Sequence, residues 1–138
     1  MKIKQANFII VDDSELDCFI AEKLVKHSGM SNKVISFLRA EDALDFVKGN
    51  PFPTDQMLTV ILLDILMPIM SGIDFVEEFE KLPADVQKKY IIVAFTSSMN
   101  KKDMATMQSF KSVKCLYDKP LSPEVLSTLL DDTVLFPE

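Results

Sequence analysis

The chain holds only two cysteines, Cys18 and Cys115. That is too few for a disulfide framework, and their apolar neighbours predict buried thiols. There is one histidine, His27, close to Lys26 and Gly29. A cation near a helix end suits the helix dipole, so His27 is read as structural. No tract of about 18 or more uncharged apolar residues is present, which excludes a membrane-spanning helix. Asp12 and Asp13 interrupt any signal-peptide reading, so a cytoplasmic location is expected. No long basic run is present and the net charge is −6, which disfavours direct contact with nucleic-acid phosphates. No internal repeat, low-complexity segment or second domain is visible. The 138 residues predict one domain over 1–138 with a core of about 6–132. Met1 and the short tail Thr133 to Glu138 are read as the bounds of a complete small protein without an effector module.

Hydrophobic residues make up 48% of the chain, enough for a sizeable core, and they fall into alternating patterns. Phe8 to Val11 is a short continuous apolar run, as in a strand buried on both faces. From Ser14 to about Lys26, Leu16, Phe19, Ile20, Leu24 and Val25 recur at helical spacing. Asp13 or Ser14 caps this helix and Gly29 stands where it stops. Further strands are predicted over Lys33–Phe37, Leu58–Leu63, Tyr90–Phe95 and Lys114–Tyr117. Helices are predicted over Ala40–Lys48, Ile73–Leu82, Lys102–Phe110 and from Ser122 or Pro123 to near Asp131. The Gly49 to Gln56 stretch, with Pro51 and Pro53, reads as a surface insertion. Five strands alternating with five helices imply an α/β fold, a parallel sheet with helices on both faces.

Five polar residues stand where the apolar strands end: Asp12, Asp13, Asp64, Thr96 and Lys119. In an open parallel sheet the carboxyl ends of the strands share one crevice, so these residues are expected in one pocket. One Asp is explained by helix capping. Three carboxylates together repel one another unless a cation joins them. Oxygen-only donors with few protein carboxylates favour Mg²⁺. A carboxylate can accept a phosphoryl group, and Asp64 is the expected nucleophile. Lys119 would hold a phosphoryl oxygen by charge and Thr96 would donate a hydroxyl hydrogen bond to another. Taken singly, Lys119 could be a solvated lysine and Thr96 an ordinary strand residue. A cis Lys119–Pro120 bond would fix that loop, and the sequence leaves the isomer open.

Asp12-Asp13, the stretch Leu63 to Gly72 with its Asp-x-x-Met-Pro-x-Met-x-Gly pattern, Thr96-Ser97 and Lys119-Pro120 resemble the receiver domain of two-component response regulators, of the stand-alone chemotaxis-regulator type. The resemblance covers roughly residues 6 to 132. It implies a flavodoxin-like five-stranded sheet of order 2-1-3-4-5. It implies that Asp64 accepts a phosphoryl group from a phosphohistidine on a sensor histidine kinase or histidine phosphotransfer protein. It implies Mg²⁺ held directly by Asp13, Asp64 and the Leu66 backbone carbonyl, with Asp12 acting largely through water. It further implies that phosphorylation draws Thr96 inward and shifts the surface of the fourth helix, fifth strand and fifth helix, which an unknown downstream protein reads. The protein would be a monomer or weak dimer, and a switch that catalyses its own phosphorylation and dephosphorylation.

Two positions depart from the family pattern. Leu116 stands three residues before Lys119, where members often carry Tyr or Phe. Tyr117 should point to the opposite face of the strand, which leaves an aromatic rotamer switch without a residue. Leu66, two residues beyond Asp64, cannot orient a water, so slow loss of phosphate is expected; Ser98, two beyond Thr96, is weakly informative. Met104 and Met107 could form an adaptable contact face, although core filling is the commoner use, and Phe75 and Phe79 read as core. Two rival readings remain. A degenerate receiver would be a phosphorylation-independent binding module, against which the intact five positions argue. A small Asp-nucleophile phosphatase of the haloacid-dehalogenase type usually needs a second Asp where Leu66 stands.

Overall fold

A computed structural model describes residues 6–49, 58–97 and 100–129. The elements run β1 (Ala6–Val11), α1 (Glu15–His27), β2 (Ser31–Phe37), α2 (Ala40–Gly49), β3 (Thr59–Asp64), α3 (Gly72–Phe79), α4 (Ala84–Gln87), β4 (Tyr90–Thr96), α5 (Lys101–Gln108), β5 (Val113–Asp118) and α6 (Pro123–Leu129). The five strands form one sheet of order β2-β1-β3-β4-β5, parallel throughout. The expected sheet order is the observed one.

Every residue of β1 and β3 is buried, whereas β2 and β5 are edges with partly exposed residues. That explains the continuous apolar runs: strands covered on both faces have no solvent side to show as alternation. One core packs α2, α3 and α5 on the sheet through Ile9, Ile61, Ile92, Phe75, Phe79 and Met107. Phe75 and Phe79 stack at 6.4 Å and Phe79 meets Tyr90 edge-on at 6.0 Å. The other core packs α1 and α6 through Phe8, Ile10, Cys18, Val25, Phe95 and Leu126. Leu116 joins the first core and Tyr117 the second, as the two-residue period of a strand requires.

Local chemistry sets the helix ends. Ser14, rather than Asp13, caps α1: its Oγ accepts the Asp17 N–H at 3.1 Å. Gly29 follows the helix at φ +75°. Ser71 and Asp74 form a capping box at the start of α3. The described residues contain six helices rather than five. The extra one, α4, is a single turn after Pro83, and the Gln87 side chain donates to the carbonyls of Glu80 and Leu82 to close the turn. Cys18 is buried as expected, but Cys115, on the edge strand, is half-buried. The Pro51–Pro53 insertion, Ser98 and the end of the last helix near Asp131 lie outside the described residues. No helix among the described residues is long and apolar enough to cross a membrane.

Candidate phosphoacceptor site

Strand register places the five polar residues. Val11 pairs with Leu63, so Asp12 follows its strand at the level of Asp64. Asp64 pairs with Phe95, which puts Thr96 one step beyond. Thr96 pairs with Asp118, which puts Lys119 one step further. Backbone bonds extend this ladder past the strand ends: Asp12 N–H donates to Phe37 O at 3.1 Å, Ile65 N–H to Phe95 O at 2.9 Å, and Lys119 N–H to Thr96 O at 2.9 Å. The Lys119–Pro120 bond is cis.

Asp12, Asp64 and Thr96 are buried, at 6%, 4% and 3% exposure, while Asp13 is exposed. A buried polar group needs partners, and both aspartates have them. Asp12 Oδ1 accepts the Ser14 N–H at 3.0 Å, and Asp64 Oδ1 accepts the Leu66 N–H at 3.3 Å. Their second oxygens face Lys119 Nζ, at 2.5 Å from Asp12 Oδ2 and 3.4 Å from Asp64 Oδ2. Burial pushes the Asp64 carboxyl up to about 6; the Lys119 charge works against the shift and the Asp12 charge adds to it. Burial works against the charged form of Lys119, but the hydrogen bond to Asp12 and the charges of Asp64 and Asp12 outweigh it and raise its pKa.

Carboxylate oxygens of Asp12, Asp13 and Asp64 lie within 4.8 Å of one another. The donor set is all oxygen, and one carboxylate is held at a cost by burial beside another. A hard divalent cation fits such a set, and Mg²⁺ is the usual choice where few carboxylates are offered. The loop after Asp64 is closed tightly behind it. Gly72 N–H donates to Ile65 O at 2.9 Å, and a Cβ at position 72 would stand 2.5 Å from Asp64 O. Ile69 in that loop has φ 70° and is 88% exposed.

A family model described as the response regulator receiver domain matches residues 8–131. The chain belongs to the response regulator receiver domain family. A receiver protein structure from Dyadobacter fermentans is 31% identical, with TM-score 0.80, covering 96% of this chain and 99% of that one. A two-component response regulator from Cytophaga hutchinsonii superposes with TM-score 0.82 at 20% identity, over 96% of this chain and 98% of that one. The chemotaxis protein CheY4 of Vibrio cholerae gives 0.73 at 21% identity, over 91% and 96%. No curated protein matches the chain. As in a receiver domain, the five positions converge at the carboxyl edge of the sheet.

One residue of this receiver's site escaped the sequence reading. Asp17, in the first turn of α1, places Oδ2 3.1 Å from Lys119 Nζ. Lys119 therefore faces three carboxylates, not two. Asp17 also lines, with Asp12, Asp64, Ser97, Lys119 and Leu121, a cavity of about 340 Å³ between α1, the sheet and the β5–α6 turn. An acid in a first helical turn has a routine explanation in the macrodipole, and nothing in sequence links it to a lysine 102 residues away.

Proposed function

We propose that this receiver is a phosphorylation switch whose acceptor is Asp64. The observation that carries the reading is the position of Asp64: buried at the end of β3, 3.4 Å from Lys119 Nζ, and within one three-carboxylate group with Asp12 and Asp13. An Asp64 oxygen attacks the phosphorus of a phosphohistidine; the P–N bond breaks, and the imidazole leaves and takes up a proton from solvent. Lys119 then donates to a phosphoryl oxygen, and the Thr96 hydroxyl donates to another. Mg²⁺ would be held by Asp13, Asp64 and the Leu66 carbonyl, with Asp12 acting through water; when bound, it supplies positive charge against the repulsion between Asp64 and the incoming phosphoryl group.

The donor is a sensor histidine kinase or a histidine phosphotransfer protein, and the output is a protein that reads the α5–β5–α6 surface. The chain acts in the cytoplasm, as a monomer or weak dimer. Self-catalysed phosphorylation and dephosphorylation are part of the switch, not turnover of an external substrate. Leu66, 43% exposed beside Asp64, offers no polar atom from its side chain to an attacking water, which favours a long-lived phosphoryl state.

Intact mass after incubation with acetyl phosphate and Mg²⁺ tests the proposal. Wild type gains one phosphoryl group, EDTA abolishes the gain, and Asp64→Asn shows none. Continuous hydrolysis of small phosphate esters would instead identify a phosphatase. Mg²⁺ binding without any mass gain would identify a binding module.

A further inference from the structure

We infer that Asp17 is a positioning residue that competes with the phosphoryl group for the Lys119 ammonium. The inference rests on Asp64 being the phosphoacceptor.

An ammonium has three N–H donors, and here it faces three carboxylates. The contacts are 2.5 Å to Asp12, 3.1 Å to Asp17 and 3.4 Å to Asp64. The acceptor therefore has the longest of the three. Asp17 stands outside the group of carboxylates that a cation would join, which comprises Asp12, Asp13 and Asp64. Its hold on Lys119 therefore persists when that group is otherwise engaged.

The position of Asp17 is fixed by the helix, not by the lysine. Its backbone N–H donates to Ser14 Oγ, which starts α1. The carboxylate reaches inward from α1 to a lysine side chain that is only 17% exposed, while its own side chain is 44% exposed. A solvated first-turn acid would stabilise the helix end without this contact. Here the ion pair ties α1 to the turn after β5, across the cavity that opens on Asp64.

A phosphoryl group on Asp64 adds three anionic oxygens beside that oxygen of Asp64 which Lys119 faces. The ammonium must turn its donors to them as the P–O bond to Asp64 forms. Asp17 retains one donor on the α1 side, and this opposes the turn in the transition state. Removing the Asp17 charge then frees the lysine. For a pair with one half-exposed partner, Asp17, the gain in rate is about three- to tenfold.

The experiment compares wild type, Asp17→Asn, Asp17→Glu and Glu15→Gln with phosphoramidate and Mg²⁺, following the intact mass over time across donor concentrations. Glu15 is an exposed acid of the same helical turn, so its variant removes an equal charge. The expected result is a maximal rate raised about three- to tenfold in Asp17→Asn, a wild-type-like rate in Asp17→Glu, and no more than a twofold change in Glu15→Gln. Tighter binding of beryllofluoride by Asp17→Asn is expected in parallel. An unchanged or lower maximal rate in Asp17→Asn overturns the inference. So does a change confined to the half-saturating donor concentration, which would mark a general repulsion of anions. If the wild type accepts no phosphoryl group, the phosphoacceptor reading falls and takes the inference with it. If the wild type accepts one and Asp17→Asn matches it, the inference alone falls.

Discussion

Lys119 and Thr96 are joined through the main chain: the Lys119 N–H donates to the Thr96 carbonyl at 2.9 Å. The two side chains assigned to the phosphoryl oxygens are thus held on one rigid strand pair, and either can be removed without breaking the bond between their backbones. Lys119→Ala is expected to slow phosphorylation of Asp64 by roughly a hundredfold or more, because it removes a charge from the transition state. Thr96→Ala removes a neutral donor, and a loss within about tenfold is expected. Time courses of intact mass with a small phosphodonor measure both. Equal losses would contradict the division of roles.

Asp64 is held against its own charge. Its carboxyl lies near 6 in the fold against a reference value of 3.8, chiefly through burial. Between those values the native state binds more protons than the unfolded chain, so stability falls as pH rises through the window. Above it the whole penalty is present, about 3 kcal/mol. In EDTA at pH 7.5, Asp64→Asn should therefore melt several degrees higher than wild type, with the difference vanishing near pH 4. Mg²⁺ should raise the wild-type midpoint more than that of the variant, because a cation that binds only the native site stabilises it. Thermal melts with and without Mg²⁺ decide this.

Gly72 is required by the backbone of Asp64. An added Cβ would meet Asp64 O at 2.5 Å and Ile65 Cα at 2.8 Å, and neither atom belongs to a flexible side chain. Gly72→Ala should lower stability by about 1–3 kcal/mol in denaturant titration, and should also slow phosphorylation, since the loop that moves carries Asp64. Wild-type behaviour on both measures would contradict this.

Ile69 presents the opposite case. A β-branched residue at φ 70° is costly, and this one is 88% exposed, so burial offsets little of the cost. Ile69→Asn should raise stability by about 1 kcal/mol, because Asn tolerates the left-handed region. A lower midpoint in the same titration would show that the side chain contributes a contact in the folded chain.

The main features of the fold are readable in the sequence for a physical reason. Strands buried on both faces, such as Phe8–Val11 and Val60–Leu63, show as unbroken apolar runs. Residues that end such runs must lie along one edge of a parallel sheet, which is why the sequence alone brings Asp12, Asp64, Thr96 and Lys119 together. The single turn Ala84–Gln87 left no trace, because one turn is too short to show a period and is closed by Gln87 reaching backbone carbonyls. Cys115 was expected to be buried from its apolar neighbours, but it lies on an edge strand, and edge position follows from sheet order rather than composition. Asp17 was invisible as a site residue because its partner, Lys119, is brought to it only by the docking of α1 on the sheet.

The central claim is that Asp64 carries the phosphoryl group. The most direct measurement is to phosphorylate the chain with acetyl phosphate and Mg²⁺, reduce it with borohydride, and sequence the peptides by mass spectrometry. Borohydride converts an aspartyl phosphate to homoserine and leaves a free carboxylate unchanged. The account predicts homoserine at position 64, absent when acetyl phosphate or Mg²⁺ is omitted. Homoserine at another aspartate, or none in a chain that demonstrably binds Mg²⁺, would contradict it.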